Sequence, residues 1–121
     1  MHVLIVDDDA EILRMLRFLM ELRGWSVRVA QSAEAALLEL ATARPDLLLL
    51  DLSLPQRDGI GLLKLLDRGL GRPSHVVLVS ALPEAAVRAV ARRHGLPYLH
   101  KPFALDDLDE VLTGLAAANS S

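Results

Sequence analysis

Cysteine is absent from the 121 residues, which excludes disulfide bridges, thiol nucleophiles and thiolate metal sites and is compatible with a reducing compartment. Aromatic residues make up 3% of a chain that is 52% hydrophobic. Leucine, valine, isoleucine and alanine must therefore fill the interior, as suits aliphatic strands covered by helices. Positive charge is not in excess either. A formal net charge of -3 supplies no cationic field for a polyanion, so no direct binding of nucleic acid is expected. No apolar run approaches the ~20 residues that span a bilayer. The opening Met1-His2-Val3-Leu4-Ile5-Val6 turns acidic without the basic start and longer apolar stretch of a secretion signal. A cytoplasmic protein without membrane contact is expected. Repeats, low-complexity tracts and interdomain linkers are also missing, and the length fits one domain spanning residues 1–121.

Five short apolar runs are present, at 3–6, 25–29, 47–50, 76–79 and 98–99. The segments between them carry helical spacing. Ile12, Leu16, Leu19 and Met20 share one face of the first while Glu11, Arg14, Arg17 and Glu21 share the other, and Gly24 supplies the stop. Ser32 is the expected N-cap of the second, which breaks at Arg44-Pro45. Leu62, Leu63, Leu65 and Leu66 follow Gly59 in the third, which ends near Gly69-Leu70-Gly71. Pro83 fits the first position of a fourth, closed by Gly95. A fifth runs from Leu105 to Ala117, its start marked by Asp106, Asp107 and Asp109, and leaves Ala116 to Ser121 as a frayed end or the start of a linker. Five β-α alternations with connections too long for hairpins predict parallel strands and right-handed crossovers, a doubly wound α/β sandwich. The third run, with no polar alternation, reads as a central strand and the fifth as an edge.

In such a sheet ligands bind beyond the carboxyl ends of the strands. The first strand ends in Asp7-Asp8-Asp9, the third in Asp51, the fourth in Ser80 and the fifth in Lys101. Crowded carboxylates resist full ionisation unless a cation sits among them, and all-oxygen ligands suit Mg²⁺. A metal there would neutralise a phosphoryl group arriving at Asp51, with Lys101 as a second positive clamp and the carboxylate as nucleophile. Asp9 is the member of the acidic run expected to cap the first helix.

Val6-Asp7-Asp8, the segment 50–55 around Asp51, Asp58-Gly59, Val79-Ser80-Ala81 and Lys101-Pro102-Phe103, in this order and on matching elements, resemble the receiver domain of two-component response regulators over essentially the whole chain. The resemblance implies a flavodoxin-like (βα)5 fold with strand order 2-1-3-4-5. It implies that Asp51 is the phosphoacceptor, that Asp8 and Asp51 bind Mg²⁺ directly with the Ser53 carbonyl, and that Asp7 holds the ion through water. Lys101 would pair with phosphoryl oxygens, Ser80 would be the hydroxyl switch and Tyr98 the aromatic that turns inward with it. A cis Lys101-Pro102 peptide is implied as well. The implied partners are a histidine kinase or histidine phosphotransfer protein. Such a domain is no enzyme, although it promotes its own phosphorylation and dephosphorylation. Output would pass through the face of helix 4, strand 5 and helix 5, with Arg88, Arg92, Arg93, Tyr98, Asp106 and Asp107 on it and homodimerisation through it as one outcome.

Two other functions compete. A haloacid-dehalogenase-type phosphatase also uses a strand-ending Asp with Mg²⁺, but needs a second Asp two residues on, where Ser53 stands. A pseudo-receiver that binds partners without phosphorylation would not need the full set Asp7, Asp8, Asp51, Ser80 and Lys101. His2, His75, His94 and His100 lack metal-site spacing and read as structural or exposed, while Phe18 and Trp25 read as packing residues and Phe103 as a neighbour of the site. Arg57 stands where the family often has an apolar residue, and Ser80 replaces the commoner threonine. With neither Ser53 nor Leu82 charged or amide-bearing, a phosphorylated state of appreciable lifetime is expected.

Overall fold

Strand and helix alternate five times, as β1 (His2–Val6), α1 (Ala10–Leu22), β2 (Ser26–Ala30), α2 (Ala33–Thr42), β3 (Leu47–Asp51), α3 (Asp58–Asp67), β4 (His75–Ser80), α4 (Glu84–His94), β5 (Tyr98–His100) and α5 (Leu105–Asn119), with a short 3-10 turn at Pro55–Arg57 before α3. The computed structural model describes residues 1–69 and 72–119, and the side chains of these except Arg57 and residues 117–119. The expected stop of α3 is met at Gly69, which takes φ 88° two residues beyond the helix end, while Leu70-Gly71 and the cation at Arg57 lie outside the described residues and side chains.

All strand pairs are parallel, and the sheet order is β2-β1-β3-β4-β5. The alternation of side chains along each strand divides the interior into two cores. Leu4, Val6, Leu48, Leu50, Val76 and Leu78 pack with residues of α2, α3 and α4 on one side. Val3, Ile5, Leu47, Leu49, Val77 and Val79 pack with α1 and α5 on the other. That two-sided cover is why 47–50 reads as an unbroken leucine run, each residue at most 1% exposed.

Local chemistry sets the element ends. The Asp9 carboxylate accepts from the backbone N–H of Glu11 and Ile12 and caps α1, and the Ser32 hydroxyl accepts from Ala35 N–H and caps α2. Gly95 closes α4 in the left-handed conformation, at φ 66°. Some boundaries differ from expectation. Pro83 is the N-cap of α4 rather than its first residue, because its ψ of 137° is extended. Helix α5 continues to Asn119, so residues 116–119 are helical and not a frayed end. Its entry is fixed by the Asp107 carboxylate, which accepts from Ala104 N–H at 2.9 Å, whereas Asp109 binds Arg23. Phe18 is not a packing residue: it is 62% exposed and lies with Met15 and Leu22 on the outer face of α1. Trp25 and Phe103 pack partly against the core beneath α1 and α5. Among the described residues no helix is long and apolar enough to cross a membrane.

Candidate functional site

The parallel register brings the strand ends into one row. Val6 lies beside Leu50, Asp51 beside Val79 and Ser80 beside His100, so Asp7, Asp51, Ser80 and Lys101 emerge together at the carboxyl rim. Asp7, Asp51 and Ser80 are buried, each at most 2% exposed, while Asp8 is exposed. One carboxylate oxygen from each of Asp7, Asp8 and Asp51 lies within 4.8 Å of the others. The rim thus unites residues as distant in sequence as Asp7 and Lys101, 94 positions apart.

Each buried carboxylate divides its two oxygens in the same way. Asp7 Oδ1 accepts from Asp9 N–H at 2.9 Å and Asp51 Oδ1 from Ser53 N–H at 2.7 Å. The other oxygens share the Lys101 ammonium, at 2.6 Å from Asp7 Oδ2 and 3.3 Å from Asp51 Oδ2. Burial pushes the Asp51 carboxyl above its ordinary value; Ser53 N–H and the Lys101 charge oppose this, and the Asp7 charge reinforces it. Burial alone would lower Lys101, but its hydrogen bond to Asp7 and the charges of Asp51 and Asp7 outweigh it, so the ammonium is held above its usual range. Three carboxylates against one ammonium leave two negative charges uncompensated. An all-oxygen cluster with that deficit, open on the Asp8 side, fits a divalent hard cation such as Mg²⁺.

Gly59 lets α3 approach the acceptor strand. A Cβ there would lie 2.4 Å from the Asp51 carbonyl oxygen and 2.9 Å from Leu52 Cα, both backbone atoms. This is the physical reason for glycine after Asp58. The Ser53 hydroxyl lies 2.9 Å from that of Ser80, and Ser80 Oγ also accepts from Leu82 N–H at 3.1 Å. Tyr98 stands apart: it is half-buried, with its hydroxyl 3.5 Å from Glu84 Oε1. The Lys101-Pro102 peptide is cis.

Two histidines that the sequence leaves without a role have defined partners. His94 Nδ1 lies 2.6 Å from Asp67 Oδ2 and joins the ends of α4 and α3. His100 Nε2 lies 2.7 Å from the Leu82 carbonyl oxygen. No spacing rule signals either, because both partners are brought by the fold. The one available hint is the place of His100 beside Lys101 at a strand end.

Comparison with known proteins agrees with this geometry. Residues 3–113 match the model of the response regulator receiver domain. The chain is 40% identical over 112 residues to the KDP operon transcriptional regulatory protein KdpE of Escherichia coli, covering 92% of this chain and 49% of that protein. It is 35% identical over 108 residues to the response regulator MprA of Mycobacterium tuberculosis, covering 88% and 46%. It therefore spans about half the length of these relatives. Among solved structures, a two-component response regulator from Clostridium difficile superimposes with a TM-score of 0.87 at 26% identity, covering 99% of this chain and 98% of that one. A CheY-like receiver domain protein from Methanospirillum hungatei gives 0.85 at 25% identity, covering 98% and 95%.

Proposed function

Because this chain belongs to the response regulator receiver domain family, we propose that it works as one receiver unit across residues 1–121 and that Asp51 is its phosphoacceptor. The observation that carries this reading is the Asp51 carboxylate itself. It is buried at the carboxyl rim, oriented by Ser53 N–H, faced by Lys101, and within reach of Asp7 and Asp8.

A carboxylate oxygen attacks phosphorus, the new O–P bond forms, and the bond from phosphorus to the donor breaks with its electron pair leaving on the donor. For a histidine kinase or phosphotransfer protein the leaving atom is an imidazole nitrogen, which takes up a proton. In this chain Ser53 N–H fixes the carboxylate plane, and Lys101 stands where charge builds on the phosphoryl oxygens. Asp7, Asp8 and Asp51 would hold Mg²⁺ together with the Ser53 carbonyl. The ion would supply positive charge beside the transferred group. Ser80 is the switch hydroxyl in this reading and Tyr98 its aromatic companion; their separation here corresponds to the unphosphorylated arrangement. Output passes to the surface of α4, β5 and α5, where Arg88, Arg92, Asp106 and Asp107 are exposed, whereas Arg93, expected there, lines the groove between α3 and α4 with Lys64 and Asp67; homodimerisation through the α4–β5–α5 surface is part of the proposal.

Acetyl phosphate with Mg²⁺, followed by intact mass, tests the acceptor. One added phosphoryl group is expected on the wild type and none on Asp51→Asn. Equal labelling of both would move the acceptor elsewhere, and sustained turnover of a chromogenic phosphate ester would replace the receiver by a phosphatase.

A further inference from the structure

Residues 81–83 turn the chain from β4 into α4, whose N-cap Pro83 makes no side-chain capping bond. Among the described residues this turn is fastened to its surroundings through Leu82, at both backbone groups. The Leu82 N–H donates to Ser80 Oγ, and its carbonyl faces His100 Nε2 at 2.7 Å. A carbonyl oxygen can only accept, so Nε2 carries hydrogen. Nε2–H is present in that neutral tautomer and in the imidazolium alike, so the bond does not depend on the ring's charge.

The same turn is joined to the acceptor. Ser53 N–H binds Asp51 Oδ1, Ser53 Oγ lies 2.9 Å from Ser80 Oγ, and Ser80 leads through Leu82 to His100. Hydrogen bonds joined through the covalent frames of Ser53 and Leu82 therefore connect the acceptor carboxylate to the edge strand. We infer that His100 is a positioning residue of the switch: it holds the β4–α4 turn in the unphosphorylated arrangement and receives the displacement of that turn when Ser80 changes partner.

This rests on the reading of Asp51 as phosphoacceptor. A hydroxyl that rotates to donate to a phosphoryl oxygen carries its lone pairs away from Leu82 N–H, and an amide left without an acceptor moves to find one. Leu82 then shifts as a unit, and its carbonyl draws away from His100. The ring has room to respond, because it lines a surface cavity of about 540 Å³ with Tyr98, Phe103, Asp107 and Glu110. Two arrangements of one turn, each biased by a different end of this connection, are what coupling between the rim and the α4–β5–α5 surface requires.

The test uses the whole chain with acetyl phosphate and Mg²⁺, comparing wild type, His100→Ala and His100→Gln, whose amide nitrogen reaches a similar point and donates. In His100→Ala the rate of phosphoryl uptake is expected to rise about fivefold, the factor that one net hydrogen bond represents. Amide exchange at Leu82 in the unphosphorylated protein is expected to rise by a similar factor, and His100→Gln to return both towards wild type. Wild-type values for His100→Ala in both readouts, or a glutamine variant that behaves as the alanine one, would overturn the inference while leaving the acceptor intact. A wild type that takes up no phosphoryl group would overturn the acceptor and this inference together.

Discussion

Two buried carboxylates and one ammonium at the rim make opposing demands on the folded chain. Asp51 resists ionisation because burial outweighs Ser53 N–H and Lys101, so a neutral isostere is relieved of a desolvation penalty larger than the attraction it gives up. The shorter of the two Lys101 contacts is to Asp7, and the lysine therefore stays paired in Asp51→Asn. In metal-free protein at neutral pH that substitution is expected to raise the melting temperature, read by calorimetry. Lys101→Ala does the reverse: it strands both acids without a counter-charge and is expected to cost about 3 kcal/mol in chemical denaturation. A melting temperature lowered by Asp51→Asn would show that Lys101 depends on Asp51 more than on Asp7.

At the scale of elements, the closest constraint is the seat of α3 against β3. Gly59→Ala sets a methyl group against backbone atoms that cannot rotate away, so α3 must shift; a loss of about 1–3 kcal/mol is expected, together with slower phosphoryl uptake, because the carbonyl it displaces belongs to Asp51. Helices α1 and α5 are clasped by Arg23 and Asp109, with the second guanidinium bond at 3.0 Å. That hydrogen bond, aided by the charge of Arg23, holds the Asp109 carboxyl below its ordinary value of 3.8. A depressed carboxyl stabilises the fold above 3.8 and ceases to do so as pH falls through the folded value. Wild type is therefore expected to exceed Asp109→Asn in denaturation midpoint at pH 7, by a small margin for so exposed a pair, and the two should converge well below pH 3.8. The sequence announces Asp9 and Ser32 as caps because a cap acts on its own next turn. It cannot announce the Arg23–Asp109 clasp, whose members are 86 residues apart, whereas the exposure of Phe18 was open to reading: two positions from both Leu16 and Met20, it falls on the far side of a helix with 3.6 residues per turn.

For the molecule as a whole, the five-fold alternation made the parallel, doubly wound architecture readable, the strand order came with the family resemblance, and the strand-end rule gathered Asp7, Asp8, Asp51, Ser80 and Lys101 in advance. What stayed hidden were bonds made after the chain has closed on itself: Lys101 shared between two acids, Ser53 against Ser80, and the partners of His94 and His100. Global stability should report the shared charge deficit. Mg²⁺ at ~100 times its dissociation constant is expected to add ~2.7 kcal/mol to wild-type stability, and Asp8→Asn, whose exposed side chain leaves the metal-free fold unchanged, should lose most of that gain in a thermal titration. A gain equal in both would place the ion elsewhere. The bond between His94 and Asp67 has its own consequence. It pins the last residue of α4 to the end of α3, while the opposite end at Pro83 has no side-chain cap. The helix is then a lever with its pivot at His94, and its travel grows towards Glu84. Distance probes at 85 and 93, which leave His94 and Asp67 intact, read before and after phosphoryl transfer, should show a large swing at the first and almost none at the second.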